Sequence, residues 1–283
     1  MEVTPGYKQT EVGVIPEEWD AEKLGNFVLL QRGHDLTWRD RRKGDVPVMG
    51  SAGQNGFHDT AIAKGPGVVL GRSGASFGEA HYCEKDFWPH NTALYVTDFR
   101  GNDPLFVFYF LKSIDFTRHN SGGAQQSLNR NFIYPIQVGV PRPPEQRVIA
   151  GALSDADELI GALDQLIAKK RDLKQAAMQQ ILTGLTRLPG FSCEWESVQF
   201  SDIADKSIPW SVGGGPFGSN LKASDYTDEG VRIIQLQNIG EGRFHDDYAI
   251  YTSEGKADEL LSNNIYPGEI ILSKMGEIGR AHV

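Results

Sequence analysis

The sequence predicts an α+β protein: a mixed α/β domain, a long helix of the coiled-coil type, then a partial second domain of the first kind. Three observations carry this. Short β-prone runs between Gly-rich punctuators fill the first half, an unbroken amphipathic stretch of about forty residues follows, and motifs of the first block restart after it. The expected boundaries are 1–143, 144–187 and 188–283.

In the first block, Gly50-Ser51-Ala52-Gly53 and Gly65-Pro66-Gly67 punctuate strands expected at Val46–Met49, Val68–Leu70, Ala93–Val96 and Ile136–Val140. Gly supplies turn conformations and Pro removes a backbone donor, so such clusters end strands. The Phe/Tyr-rich stretch Pro104–Ser113 is long for a buried strand and reads as a buried helix.

From Pro144 to Gly184 only Gly151 and Gly161 interrupt the helical pattern. Apolar residues at Ile149, Leu153, Ala156, Ile160, Leu163 and Ile167 alternate in steps of four and three, as along a coiled-coil seam. The frame passes through polar Lys170 and Lys174 and recovers at Ala177 and Ile181. Pro144 suits a first helical position and Gly184 a C-terminal stop. At 1.5 Å per residue the rod is roughly 60 Å long. So long an apolar stripe demands a second helix. The 283 residues contain no other such stretch, so the chain is expected to be cut short of its partner helix.

The third block restarts the first. Gly13-Val14-Ile15-Pro16-Glu17-Glu18-Trp19, then Leu24, returns as Leu188-Pro189-Gly190-Phe191-Ser192-Cys193-Glu194-Trp195, then Phe200. Pro66-Gly67-Val68-Val69-Leu70 returns as Pro267-Gly268-Glu269-Ile270-Ile271, and Phe77-Gly78-Glu79-Ala80-His81 as Ile278-Gly279-Arg280-Ala281-His282. Three matches in one order imply an internal duplication, with an insertion in the second copy. Trp19 and Trp195 are expected as core anchors, and His81 and His282 as sharing a structural hydrogen bond.

Composition excludes several classes. With 40% hydrophobic and 23% charged residues the chain is globular rather than disordered. Its longest nearly apolar run, Leu105 to Leu111, is far short of a membrane span, and no signal-like start is present, so a cytoplasmic protein is expected. Cys83 and Cys193 are the only cysteines and lie far apart, which disfavours a disulfide framework or metal knuckle; no metal site is expected. The net charge of −9 argues against a lone DNA binder, but the deficit is concentrated after residue 188, where 15 acidic residues face 7 basic ones. A chain that reads bases while partners supply phosphate contacts tolerates this balance.

Specific stretches resemble the specificity subunit of Type I restriction–modification systems. They are Gly13-Val14-Ile15-Pro16-x-x-Trp19; Tyr134-Pro135-Ile136 running into Pro141-x-Pro143-Pro144-Glu145-Gln146-Arg147 and Ile149-Ala150; Lys169-Lys170 and Lys174-Gln175; Met178-Gln179-Gln180-Ile181-Leu182-Thr183-Gly184; and Arg187-Leu188-Pro189-Gly190-Phe191. The resemblance implies two target-recognition domains, each reading half of a split site on double-stranded DNA, the second incomplete in this chain. It also implies two long helices that pair antiparallel and set the distance between the domains. The chain would have no catalytic site and bind no cofactor. Methylation (M) subunits would use S-adenosylmethionine to modify adenine, and a translocating restriction (R) subunit would use ATP and Mg for cleavage.

Base reading needs Arg, Asn and Gln at groove edges. The stretch Gln31–Lys43 holds five basic residues in thirteen and offers Arg32, Trp38, Arg39, Arg41, Arg42 and Lys43; it reads equally as a solvated turn. The amide-rich stretch His119–Asn131 offers Gln125, Gln126 and Asn129, flanked by Arg118 and Arg130; its bland reading is a polar loop. Arg72 follows a strand and could approach phosphate, while Gly74 beside it suits a tight turn. In the second copy Asn220 and Lys222 are contact candidates. Helix pairing is assigned to Ile149, Leu153, Ile160, Leu163, Ile167 and Ile181.

Enzyme motifs do not hold. Gly213-Gly214-Gly215-Pro216-Phe217-Gly218 meets the dinucleotide spacing, but no apolar strand precedes it and Pro216 interrupts it. No phosphate loop, H-E-x-x-H or G-x-S-x-G occurs, and Asn131-Phe132-Ile133-Tyr134 lacks both central prolines of the amino-methyltransferase motif it loosely resembles. The alternative to DNA recognition is an interaction module that pairs through its orphan helix, either with itself or with an intact specificity subunit; self-pairing would create two identical halves and a palindromic target.

Overall fold

The computed structural model describes residues 4–120, 126–216, 218–240, 243–273 and 281–282, and the chain divides into two compact units, Met1–Gln179 and Gln180–Val283. In the first unit β1 (Tyr7–Thr10) and β2 (Gly13–Pro16) form an antiparallel hairpin. β3 (Asp20–Lys23), one helical turn α1 (Leu24–Phe27) and β4 (Leu29–Arg32) follow. Next come β5 (Val46–Gly50), β6 (Gly53–His58), β7 (Gly67–Gly71), β8 (Ala80–Cys83), β9 (Trp88–Pro89) and β10 (Ala93–Asp98). One sheet has the order β4-β10-β7-β8 and a second the order β6-β5-β9.

Every residue of β7 is buried, because an inner strand has both faces covered. Val68 and Leu70 point into the larger core with Phe27, Phe106 and Val107, while Val69 points into a smaller one with Met49, Phe87 and Tyr95. The two-residue alternation of a strand thus divides the interior.

The Phe/Tyr-rich stretch is a helix, α2 (Pro104–Ser113), as expected. Asp103 caps it, its carboxylate accepting the Leu105 and Phe106 N–H groups at 3.0 Å, and Pro104 fills the first turn, where no donor is needed. Its buried face, Phe106, Val107 and Leu111, covers the sheet. A single turn, α3 (Arg130–Ile133), leads to β11 (Gln137–Val140), which pairs antiparallel with β3.

The long helix α4 spans Pro143–Leu182 without a break. Its first turns dock on the first unit through Gln146, which is wholly buried. Gln146 Oε1 accepts the Asp103 N–H at 2.8 Å, and its amide donates to Asn102 Oδ1 (2.6 Å) and the Pro141 carbonyl (2.8 Å). Ala150 is buried and Ile149 packs beside the core, while Trp19 donates to the Glu145 carboxylate and Tyr109 to Asp157. Beyond that footing the seam lies open: Leu153, Ile160, Leu163 and Ile167 are 42–57% exposed, and Ile181 is half-buried. Leu159, Leu166 and Leu173, spaced by sevens, are exposed too, so the apolar stripe is wider than the predicted seam.

The second unit contains α5 (Phe200–Ile203), β12 (Tyr226–Thr227), β13 (Val231–Ile233), β14 (Ile250–Thr252) and α6 (Glu254–Glu259). It ends in β15 (Ile271–Leu272) and β16 (Ala281–His282). Its three-stranded sheet has the order β12-β14-β13, and β15 pairs with β16. Among its described residues only Ile239 and Ala257 are buried apolar side chains.

The duplicated motifs do not take duplicated environments. Neither Trp is a core anchor. Trp19 is half-buried, its indole N–H engaged at the surface, and Trp195 is 57% exposed, lying against Gly184 and under the Arg187 guanidinium at 5.7 Å. The buried strand β7 has as its sequence counterpart the partly exposed β15. Ile278-Gly279-Arg280 and the His282 side chain lie outside the described residues. His81 does make a structural bond, with Nε2 2.9 Å from the Ser51 carbonyl.

Candidate nucleic-acid interface

Three separate stretches of the first unit meet at one polar cavity of about 580 Å³. The end of β4 and the residues after it supply Gln31, Arg32, His34 and Asp35; the residue after β7 supplies Arg72; and the approach to α3 supplies Ser127, Asn129 and Arg130. Leu94 and Leu128 line the same cavity.

Backbone bonds bring these pieces together. The Arg72 N–H donates to the Thr92 carbonyl at 2.9 Å, and its own carbonyl accepts the Leu128 N–H at 2.8 Å. Ser73 bridges Ser127, and His34 bridges His90. Two glycines permit the close approach: a Cβ on Gly33 would run into the His90 carbonyl, and one on Gly71 into the backbone of Ser76. A side chain at either position would displace that backbone.

The charge is one-sided. Arg32, Arg72 and Arg130 line the cavity against one carboxylate, Asp35, which accepts a hydrogen bond from the Asn91 amide. Burial, and then the neighbouring Arg32 charge, push the Arg72 guanidinium below its ordinary range. It stays cationic at neutral pH, but like charges gathered this way favour an anion between them. Arg130 donates to the Leu30 carbonyl at 2.9 Å, and the Asn129 side chain caps α3 by accepting the Asn131 N–H at 3.0 Å. These bonds set the orientation of both residues. Another cavity of the unit, about 1060 Å³, is rimmed by Asp45, Glu79, Glu84 and Asp115 against Lys85 and Lys112, which suits phosphate poorly.

The loop after β4 sorts its candidates. Leu36 is buried and anchors it, and Thr37 and Asp40 close a turn through a 2.6 Å side-chain bond. Trp38 stands out at the tip, 78% exposed, with the Arg39 guanidinium 5.3 Å from its ring. Arg41 and Arg42 turn back into the chain. Arg41 donates to the Asn55 carbonyl (2.7 Å) and side chain (3.1 Å); Arg42 pairs with Asp59 at 2.7 Å, while its N–H donates to His58 Nδ1 at 3.1 Å. Their guanidiniums tie the loop to β6 and the turn after it. Lys43 is exposed.

Of the remaining candidates, Arg118 is exposed and 3.8 Å from Asp115, Gln126 is exposed, and Gln125 lies outside the described residues. In the second unit Asn220 is exposed and accepts from the Ser219 hydroxyl at 3.2 Å; Lys222 is exposed beside the turn that Asp225 closes through the Lys222 N–H. Sequence reasoning singled out neither His34, whose Nε2 is buried with no hydrogen-bond partner among the described residues, nor Ser127. Only the folded backbone places them beside the arginines. Among the described residues no group of three His, Cys, Asp or Glu could hold a metal ion, and no helix is long and apolar enough to cross a membrane.

Residues 16–169 match the family model described as Type I restriction modification DNA specificity domain. The chain is 20% identical to the Type I restriction enzyme MjaVIII specificity subunit of Methanocaldococcus jannaschii, over 92% of this chain and 64% of that protein. To the MjaIX specificity subunit of the same organism it is 21% identical, over 82% of this chain and 58% of the relative. It thus spans less than two thirds of either relative. The solved S subunit of a Type I restriction-modification system from M. genitalium resembles it with a TM-score of 0.46 and 17% identity, over 64% of this chain and 47% of that one.

Proposed function

The chain belongs to the Type I restriction modification DNA specificity domain family, and from that premise we propose that it recognises a specific sequence in double-stranded DNA within a larger assembly. The functional division is 1–143 for the first reader, 144–187 for the helical spacer and 188–283 for the second reader. Methylation subunits carrying S-adenosylmethionine, and a restriction subunit using ATP and Mg, act in the cytoplasm at the site this chain selects.

The observation that carries the reading is the gathering of Arg32, Arg72 and Arg130 around one cavity in a chain of net charge −9. Phosphate contacts supply most of the affinity for DNA and fix register, while base edges supply selectivity. The three arginines hold the backbone. Asn129 and Gln126 approach base edges, Trp38 and Arg39 extend the contact from the loop tip, and Arg41 and Arg42 hold that loop in place. Gel shift of the chain reconstituted with methylation subunits is expected to reveal one preferred duplex. Replacing Gln126 and Asn129 by Ala should remove the preference while leaving general affinity; selectivity that survives would refute these roles.

A second reading has its own observation. The exposed row Leu153, Ile160, Leu163 and Ile167 can pair with the same row of another copy. Light scattering over a range of concentrations decides this, since a concentration-independent monomer with an intact helix would exclude self-association.

A further inference from the structure

The loop between β13 and β14 is built around one buried amide. Asn238 is wholly buried; its Oδ1 accepts the Gln235 N–H at 2.9 Å, and its NH2 donates to the carbonyls of His245 (2.9 Å) and Tyr248 (2.8 Å). Two backbone bonds close the loop, Gly240 N–H to the Arg243 carbonyl at 2.9 Å and His245 N–H to the Asn238 carbonyl at 2.8 Å. Arg232 braces it from β13, donating to the Tyr248 carbonyl at 3.1 Å and to the Asp246 carboxylate, and lying over the Phe244 ring at 5.0 Å.

This scaffold presents two further amides. Gln237 is exposed and Gln235 half-buried, and the Gln237 NH2 donates to Gln235 Oε1 at 3.2 Å. That bond orients both groups. It leaves the Gln235 NH2 as a donor and Gln237 Oε1 as an acceptor, neither with another hydrogen-bond partner among the described residues. Free glutamines lose rotamer freedom when they bind; a pair already bonded to each other on a pinned loop loses less.

An amide donor together with an amide acceptor complements the major-groove edge of adenine, whose N7 accepts and whose N6 donates. We infer that Gln235 and Gln237 are a base-reading pair of the second unit, and that their ligand is a base-pair edge of duplex DNA, with an A·T pair the best match. Arg243, exposed on the same loop, suits a flanking phosphate. The inference rests on the DNA-recognition reading and assigns residues that the sequence did not single out.

The test uses the full chain assembled with methylation subunits. A pool of randomised duplexes is incubated with the assembly and S-adenosylmethionine, and the methylated products are sequenced. The wild type is expected to return a split site. Gln235→Ala with Gln237→Ala should lower discrimination in one half by about tenfold or more at the affected base pair and leave the other half intact. An unchanged site in the double variant overturns the inference. So does loss of both halves at an unchanged melting temperature, which would assign the pair to assembly rather than to base reading. If the double variant melts early, Gln237→Ala alone should still weaken one half, and an unchanged site in that variant also overturns the inference. A wild type without any preference fails the DNA-recognition reading itself, which separates the two failures.

Discussion

The two units are built from repeated motifs but bury very different amounts of themselves. In Met1–Gln179 a core of Phe27, Leu70, Leu94, Phe106 and Leu111 is closed by α2 and by the foot of α4. In the described part of Gln180–Val283, Phe200, Ile203, Trp210 and Val212 stand 57–67% exposed. A motif copied in sequence keeps its local conformation only where the elements that cover it are present, because burial of apolar surface supplies most of the stabilisation.

The largest expected effect tests that contrast directly. Phe27 meets the Phe106 ring edge-on at 6.2 Å and Phe110 at 5.0 Å, and it is fully buried. Phe27→Ala should cost about 4 kcal/mol in denaturant unfolding, as large-to-small changes in a closed core do. Phe200→Ala should fall within about 0.5 kcal/mol, like other surface changes. Equal costs would mean that the second unit is as well packed as the first.

Next comes the footing of α4. Gln146→Ala leaves the Asp103 N–H, Asn102 Oδ1 and the Pro141 carbonyl without their partner, and should destabilise the first unit by about 3 kcal/mol. Ile160→Ala in the open seam should change the unfolding free energy of the isolated chain little. If Gln146→Ala is silent, the helix is not held by that network.

A smaller effect separates the interfaces. Arg32→Ala with Arg72→Ala should weaken DNA binding about tenfold and reduce the slope of log affinity against log salt by about 2, one for each phosphate left without its cation. Asn220→Ala with Lys222→Ala removes one cation and should reduce the slope by about 1. Equal slopes in wild type and both variants would remove phosphate binding from both places.

The smallest effect is a pH dependence in the first unit. Burial, and then the charge of Arg41, hold His90 below its ordinary value of 6.5, against smaller opposing contributions from the Leu36 carbonyl and Asp35. The unfolded chain then binds a proton near 6.5 that the folded chain refuses, so stability falls as pH drops through that value. His90→Gln should flatten this slope; melting temperatures measured on either side of 6.5 check it. The same slope in wild type and variant would assign the dependence to another group.

Much of the fold was legible in residue order. The expected strands at Val46–Met49, Val68–Leu70 and Ala93–Val96 lie inside β5, β7 and β10, and α2 and α4 fall where hydrophobic spacing and Pro placement put them. These features are local: they depend on neighbours within a few residues. The site was only partly legible. Arg32, Arg72 and Arg130 were named from composition, yet that they share a cavity depends on Leu128 and Thr92 bonding to Arg72 across the chain. Arg41 and Arg42 looked like the other basic residues of their loop, and their partners Asn55 and Asp59 had no local signal.

The sequence by itself determined the α+β class, the unbroken helix with its apolar stripe, the repeated motifs and the family. Each follows from periodicity, punctuation or motif, which are written along the chain. The tertiary structure decided which copies of a motif are buried, which arginines face a cavity and which brace a loop, and that Gln146 and Asn238 are buried at the centres of polar networks. Those outcomes depend on which distant groups a folded backbone brings within about 3 Å, the reach of a hydrogen bond.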